Sequence, residues 1–209
     1  MRSTIGLLLV LVGMAGPVQA GELKIFLKTT DDKVVVDAVV TVHPGVRHKD
    51  TVVRFPWPMV IEQRDLKFQP FVLIAPTGAE VAFPNFDDVK HHVYSLSKSN
   101  PFELRLFGKD ESRHVRMINP GIVAIGCNIH DQMSAFIAVV DTAFAAKSDA
   151  SGAALIEGIP DGPATVRVWH PFLHADDSQI ERTVNFGSNA ETMNLELDVR
   201  TPHIRHHTY

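Results

Sequence analysis

The sequence predicts an all-β protein, and three observations carry that prediction. Apolar stretches are short, rich in β-branched and aromatic residues, and closed off by Gly, Pro, Asn and Asp. Apolar residues recurring at helical spacing are nearly absent. The composition, 45% apolar and 21% charged, is that of an ordinary globular chain with enough apolar surface for packed cores.

Taken in order, the candidate strands are 23–28, 36–43, 52–55, 60–63, 72–75, 80–84, 92–97, 102–107, 113–118, 122–126 and 135–140, then 153–157, 164–170 and 193–199. Turn signals separate them at Thr77-Gly78, Asn119-Pro120-Gly121, Ser151-Gly152 and Asp161-Gly162-Pro163. Phe55-Pro56-Trp57-Pro58 is a stiff boundary, because each proline fixes its own φ and restricts the residue before it. Asp141-Thr142 closes a strand and marks a second boundary. The roughly 80 residues between, 59–141, suffice for a seven- or eight-strand sandwich. The flanking pieces, 21–58 and 142–209, are each too short to bury much core alone. They are expected to pair with each other as a second, discontinuous β-sandwich.

Residues 1–20 read as a signal peptide: Arg2 supplies the positive charge, 5–12 is a short apolar stretch, and Pro17-Val18-Gln19-Ala20 is a small-x-small cleavage pattern. The apolar stretch is too short to cross a bilayer, and no later stretch qualifies as a membrane span. No Cys follows the signal to carry a lipid anchor. The expected location is therefore periplasmic or secreted. A net charge of −4 offers no basic surface for nucleic acid or an anionic membrane.

Export makes the cysteine count informative. Exported proteins use Cys mainly in pairs, yet Cys127 stands alone. Such a residue is an inert buried thiol, a reactive thiol or a metal ligand. Its neighbours favour the last. Gly126-Cys127-Asn128-Ile129-His130-Asp131-Gln132-Met133 has the spacing Cys-x2-His-x2-Met and lies between two candidate strands. A tight loop at a sheet end can turn all three side chains toward one point. His91-His92 opens a strand after the Asp87-Asp88 turn, far enough upstream for the intervening strands to return it to the loop.

Two imidazoles and a thiolate with a weak axial thioether form the electron-transfer copper site, which serves Cu(I) and Cu(II) with little rearrangement. Zinc is expected to take more Cys or His and no Met. One Cys excludes an iron–sulfur cluster. A Cys127–His130 nucleophile–base pair is the competing chemistry, but no orienting third group stands at a recognisable spacing.

The same segment resembles a known family. Phe68-Gln69-Pro70-Phe71-Val72-Leu73 and Thr77-Gly78-Ala79-Glu80-Val81-Ala82-Phe83-Pro84-Asn85 are similar to the opening strands of plastocyanin- and amicyanin-type cupredoxins. His91-His92-Val93-Tyr94 matches the family's His-Asn-Val-Phe segment, and the ligand loop has the amicyanin spacing. The residues alone leave His91 and His92 open; the resemblance assigns His91. It implies a cupredoxin-like Greek-key sandwich over residues 60–141, with one type 1 copper held by His91, Cys127, His130 and Met133. The paired histidines and the flanking unit resemble, more narrowly, proteins of the methylamine-utilisation-like group. Asp131 stands where amicyanin-like loops carry Pro, which makes the loop surface more polar.

The stretch 34–42 and the segments around Asp149-Ala150-Ser151-Gly152 and Val166-Arg167-Val168-Trp169 resemble transthyretin-like, carboxypeptidase-regulatory-like sandwiches. No catalytic constellation is visible there. Trp57 and Trp169 are expected in this second core, and His114 and His170 as structural strand residues. The tail residues His203, His206 and His207 read as a solvated tail. The expectation is a non-enzymatic copper protein passing single electrons between exported redox partners. The alternative is a copper sensor, chaperone or storage module.

Overall fold

The computed structural model describes residues 21–45 and 53–200. The expected signal peptide and the tail histidines lie outside the described residues. The first described segment supplies β1 (Gly21–Thr29) and β2 (Val39–Pro44). The middle of the chain supplies β3 (Glu62–Arg64), β4 (Lys67–Gln69), β5 (Val72–Pro76), β6 (Glu80–Pro84), β7 (His91–Ser95), β8 (Phe102–Phe107), β9 (Ser112–Arg116), β10 (Gly121–Cys127) and β11 (Ser134–Val140). The last part supplies β12 (Phe144–Lys147), β13 (Ala153–Ile159), β14 (Gly162–Trp169), β15 (Gln179–Phe186) and β16 (Ala190–Leu197). The described residues hold no α-helix; a short 3-10 turn covers Asp176–Ser178. None of their helices is long and apolar enough to cross a membrane.

The chain is all-β and builds two sandwiches. In one, the sheet β13-β1-β16 faces the sheet β12-β2-β14-β15. β1 shows why: Leu23, Ile25 and Leu27 alternate with Lys24 and Lys28, and only the apolar set is buried. These three meet Val40 and Val42 of β2, Val166 and Val168 of β14, and Phe186 and Leu197. Each such side chain contributes roughly 1.5–3 kcal/mol on leaving water.

In the other, the sheet β5-β11-β10-β7-β8 packs over the pairs β3-β4 and β6-β9. β9 pairs with β6 across the core and β10 returns beside β7, so the chain crosses between layers in the Greek-key manner. β10 is central, flanked by β11 and β7, and its inward residues Val123, Ile125 and Cys127 form one buried row.

A third cluster joins the sandwiches. Val39 and Trp169 from one pack with Val72, Ile74, Ala138 and Val140 from the other. Phe136 meets Trp169 edge-on at 5.5 Å, and Phe71 stacks with Phe172 at 6.1 Å. Both tryptophans sit at this junction, Trp57 with its indole N–H donating to the Ile74 carbonyl at 2.8 Å. The expectation that they fill the second core is corrected: a wide ring with one polar edge suits a seam better than a closed interior.

Other departures have local causes. Residues 53–55 form no strand; Phe55 instead stacks on Trp57 at 4.7 Å, in the backbone shape imposed by Pro56 and Pro58. Val34 and Val36 are 47% and 40% exposed, and the strand begins only at Val39, after Asp37 takes a positive φ of 63°. β12 and β15 are absent from the sequence prediction. β12 is alanine-rich, and in β15 the alternating set Ile180, Val184 and Phe186 is broken by Arg182, so both give a weak apolar strand signal.

Candidate metal centre

Two adjacent antiparallel strands bring the site together. Cys127, the last residue of β10, pairs with Val93 of β7, which places the start of β7 beside the end of β10. The β7–β8 register slips between His91 and Val93, a bulge of the kind that re-aims side chains at a sheet end. His91, Val93 and Ser95 face inward, while His92 and Tyr94 face the other way.

His91 is completely buried and its Nδ1 lies 3.8 Å from Cys127 Sγ. His130 Nδ1 approaches the same sulfur, also at 3.8 Å. The two rings stand 5.0 Å apart at 66°. The three donor atoms lie within 4.8 Å of one another. This spacing fits a shared ion: bonds of about 2.1 Å to nitrogen and about 2.3 Å to sulfur at a trigonal angle set N···S at about 3.8 Å. Cys127 is only 4% exposed, so the thiol is screened from solvent.

The loop from Cys127 to Met133 closes on itself. The Cys127 N–H donates to the Met133 carbonyl at 3.2 Å, and the Met133 N–H donates to the His130 carbonyl at 2.9 Å. Met133 is 1% exposed and packs in the same core cluster as Cys127. Asn128, the residue after Cys127, donates its N–H to the His92 carbonyl at 3.0 Å, tying the loop to β7. A Cβ on Gly126 would stand 3.2 Å from the outer end of the Tyr94 ring, so a larger residue before the cysteine requires that ring to shift by a few tenths of an ångström. His130 is half-buried, and Asn128, Ile129, Asp131 and Gln132 around it are exposed.

His92 is directed elsewhere. Its Nε2 lies 3.0 Å from Glu103 Oε1 without the alignment of a hydrogen bond. Sequence reasoning treated Asp87 as part of a turn, but its Oδ2 lies 2.8 Å from His91 Nε2. A carboxylate oxygen only accepts, so Nε2 is the donor in this contact, and in the neutral ring Nδ1 is then left with the lone pair that faces Cys127. The signal available in the sequence was a carboxylate four residues before a candidate ligand, which strand reasoning does not single out.

Asn85, fully buried, fixes the approach to His91. Its Nδ2 donates to the carbonyls of Val89 at 2.9 Å and Phe107 at 3.1 Å, and its Oδ1 accepts the Asp87 N–H at 2.9 Å.

No family model matches the sequence, and no curated protein matches it. Among solved structures, a copper-containing nitrite reductase from Thermus scotoductus SA-01 matches at 24% identity over 47% of this chain, with a TM-score of 0.39. The chain covers only 25% of that reductase. A purple cupredoxin from Nitrosopumilus maritimus matches at 17% identity over 39% of this chain and 98% of its own, with a TM-score of 0.36. A reduced amicyanin variant matches at 16% identity over 42% of this chain and 86% of its own, with a TM-score of 0.38. Overlaps this partial do not bear on the reaction, and the functional reading rests on the side chains themselves.

Proposed function

We propose that this is an exported type 1 copper protein that passes single electrons between redox partners, with no catalytic activity of its own. Its ligands are His91, Cys127, His130 and Met133. Residues 59–141 form the copper unit, inserted into a second sandwich made of 21–58 and 142–209. The observation that carries the reading is the pair of imidazole Nδ1 atoms, each 3.8 Å from one buried thiol. Copper held there would supply a one-electron change between Cu(I) and Cu(II).

The protein's own contribution is to hold a fixed donor set. His91 is locked on β7 inside the core, and Cys127 is locked on the central strand beside it. The short backbone bonds of the loop keep His130 and Met133 at one end of the sandwich. His130, half-buried beside exposed residues, is the natural route for an electron to reach a partner. A trafficking or sensing protein needs ligands that exchange readily, and a ligand set this buried disfavours exchange.

Addition of Cu(II) to the purified mature protein tests the reading. An intense thiolate-to-copper band with narrow parallel EPR hyperfine splitting, and reversible one-electron reduction, is the expected result. Cys127→Ser should abolish the band. Colourless or easily stripped Cu(II) would sink the carrier reading and favour a storage or trafficking role.

A further inference from the structure

We propose that Asp87 is a positioning residue for the metal centre: its carboxylate fixes the tautomer and aim of His91 and, through its charge, favours the more oxidised metal. The inference rests on the copper reading above and extends it to a residue outside the ligand set.

Three donors from two elements converge on this carboxylate. Oδ2 takes the His91 Nε2–H at 2.8 Å and the Leu66 N–H at 3.2 Å, and Oδ1 takes the Asp65 N–H at 2.6 Å. Asp65 and Leu66 are the two central residues of the β3–β4 hairpin turn, both at φ 55°, the backbone of a type I′ turn. Asp87 thus spans the turn and the ligand, and its own N–H is held by buried Asn85. Its side chain is 11% exposed and that of His91 is not exposed at all, so water is poorly placed to replace the contact.

Among the described residues His91 is the ion-pair partner seen at Asp87, and Lys109 pairs instead with Asp88 at 2.6 Å. The charge of Asp87 is answered by the imidazole and the two turn amides. A carboxylate behind a ligating imidazole raises the basicity of the ring, and an added positive charge on the metal is favoured by the same negative charge. An asparagine cannot substitute. It has one oxygen, so either His91 or a turn amide would face an NH2 group, donor against donor.

Two measurements test the proposal. Imidazole 1H–15N correlation spectra of the metal-free mature protein should show His91 wholly in the Nε2–H tautomer, with a slowly exchanging proton. Asp87→Ala should yield a mixture of tautomers. A mixed or fast-exchanging His91 in the unmodified protein would overturn the proposal without any metal being present.

In copper-loaded protein, Asp87→Asn should raise the reduction potential by about 59 mV, the reading of a tenfold shift in Cu(II) against Cu(I) affinity. Asp87→Glu, which keeps the charge, should stay closer to the unmodified value. Potentials unchanged in Asp87→Asn and Asp87→Ala, with only a lower melting temperature, would reduce Asp87 to a structural residue and overturn the proposal. If the unmodified protein gives no thiolate-to-copper band, the copper reading fails, and the tautomer of His91 alone decides whether Asp87 orients it. Should Asp87→Asn fail to fold, the spectra of the unmodified protein and of Asp87→Glu still decide the matter.

Discussion

At the scale of single residues, the site turns on which of two adjacent histidines faces the thiol. Side chains alternate along β7, so His91 and His92 point to opposite faces. His91 shares the inward face with Val93, and His92 stands beside Glu103 and Tyr94. Exchanging either ring for a glutamine side chain should therefore have unequal effects. In a Cu(II) titration, His92→Gln should retain the coloured site. His91→Gln should weaken binding by more than the roughly 10–100-fold that loss of an outer partner costs. Equal losses in the two variants would contradict the assignment of His91 as the ligand.

At the scale of elements, the loop from Cys127 to Met133 depends on β7, β10 and β11 arriving in register, and the second sandwich depends on one tight turn. Gly152, at φ +76°, precedes β13, and its N–H donates to the Asp149 carbonyl. A Cβ there would lie 2.5 Å from the Leu27 carbonyl oxygen, a backbone atom of β1 that also accepts the Val35 N–H. Gly158 has a similar φ, +78°, but open space around it. Urea unfolding should separate the two causes. Gly158→Ala should lose about 1–2 kcal/mol, the cost of the left-handed backbone alone. Gly152→Ala should lose clearly more, because the strand edge must also move. Equal losses would mean that the β1 contact yields without cost.

At the scale of the whole molecule, the junction between the sandwiches has an acid-sensitive corner. His170 follows Trp169, packs edge-on against Phe172 at 5.6 Å, and accepts the Phe172 N–H on Nδ1 at 3.3 Å. Burial pushes its pKa below the ordinary 6.5, outweighing the opposite pull of Asp37. The unfolded chain then takes up the proton first. His170 therefore costs no stability above pH 6.5, and the fold loses stability as pH falls below that value toward the lowered folded pKa. Urea midpoints at pH 7.5 and 5.5 should fall less between the two conditions in His170→Gln than in the unmodified protein. An identical fall would show that the burial of this ring is not coupled to folding.

Much of this was legible in the chain itself. The all-β class followed from short apolar runs and turn residues, and 80–84 and 102–107 were read to the residue because their punctuation is local. The proposed donors Cys127, His130 and Met133 could be grouped from the chain because one seven-residue loop holds them together, whatever the rest of the fold does. β15 was not legible because half of its side chains are exposed and only Phe186 is fully buried, which leaves a weak apolar pattern.

His91 was beyond local reading for a different reason. In His91-His92-Val93-Tyr94-Ser95-Leu96, both alternating faces carry apolar residues, so period two does not say which is inward. The pairing of β7 with β10 and the bulge against β8 decide it, leaving Leu96 84% exposed and His91 buried. Asp87 belongs with His91, because its role exists only once the β3–β4 turn and the start of β7 meet. The proposed donors of the loop were set by sequence neighbours; the placement of His91 and of its carboxylate partner was set by strand register, which is a property of the folded sheet alone.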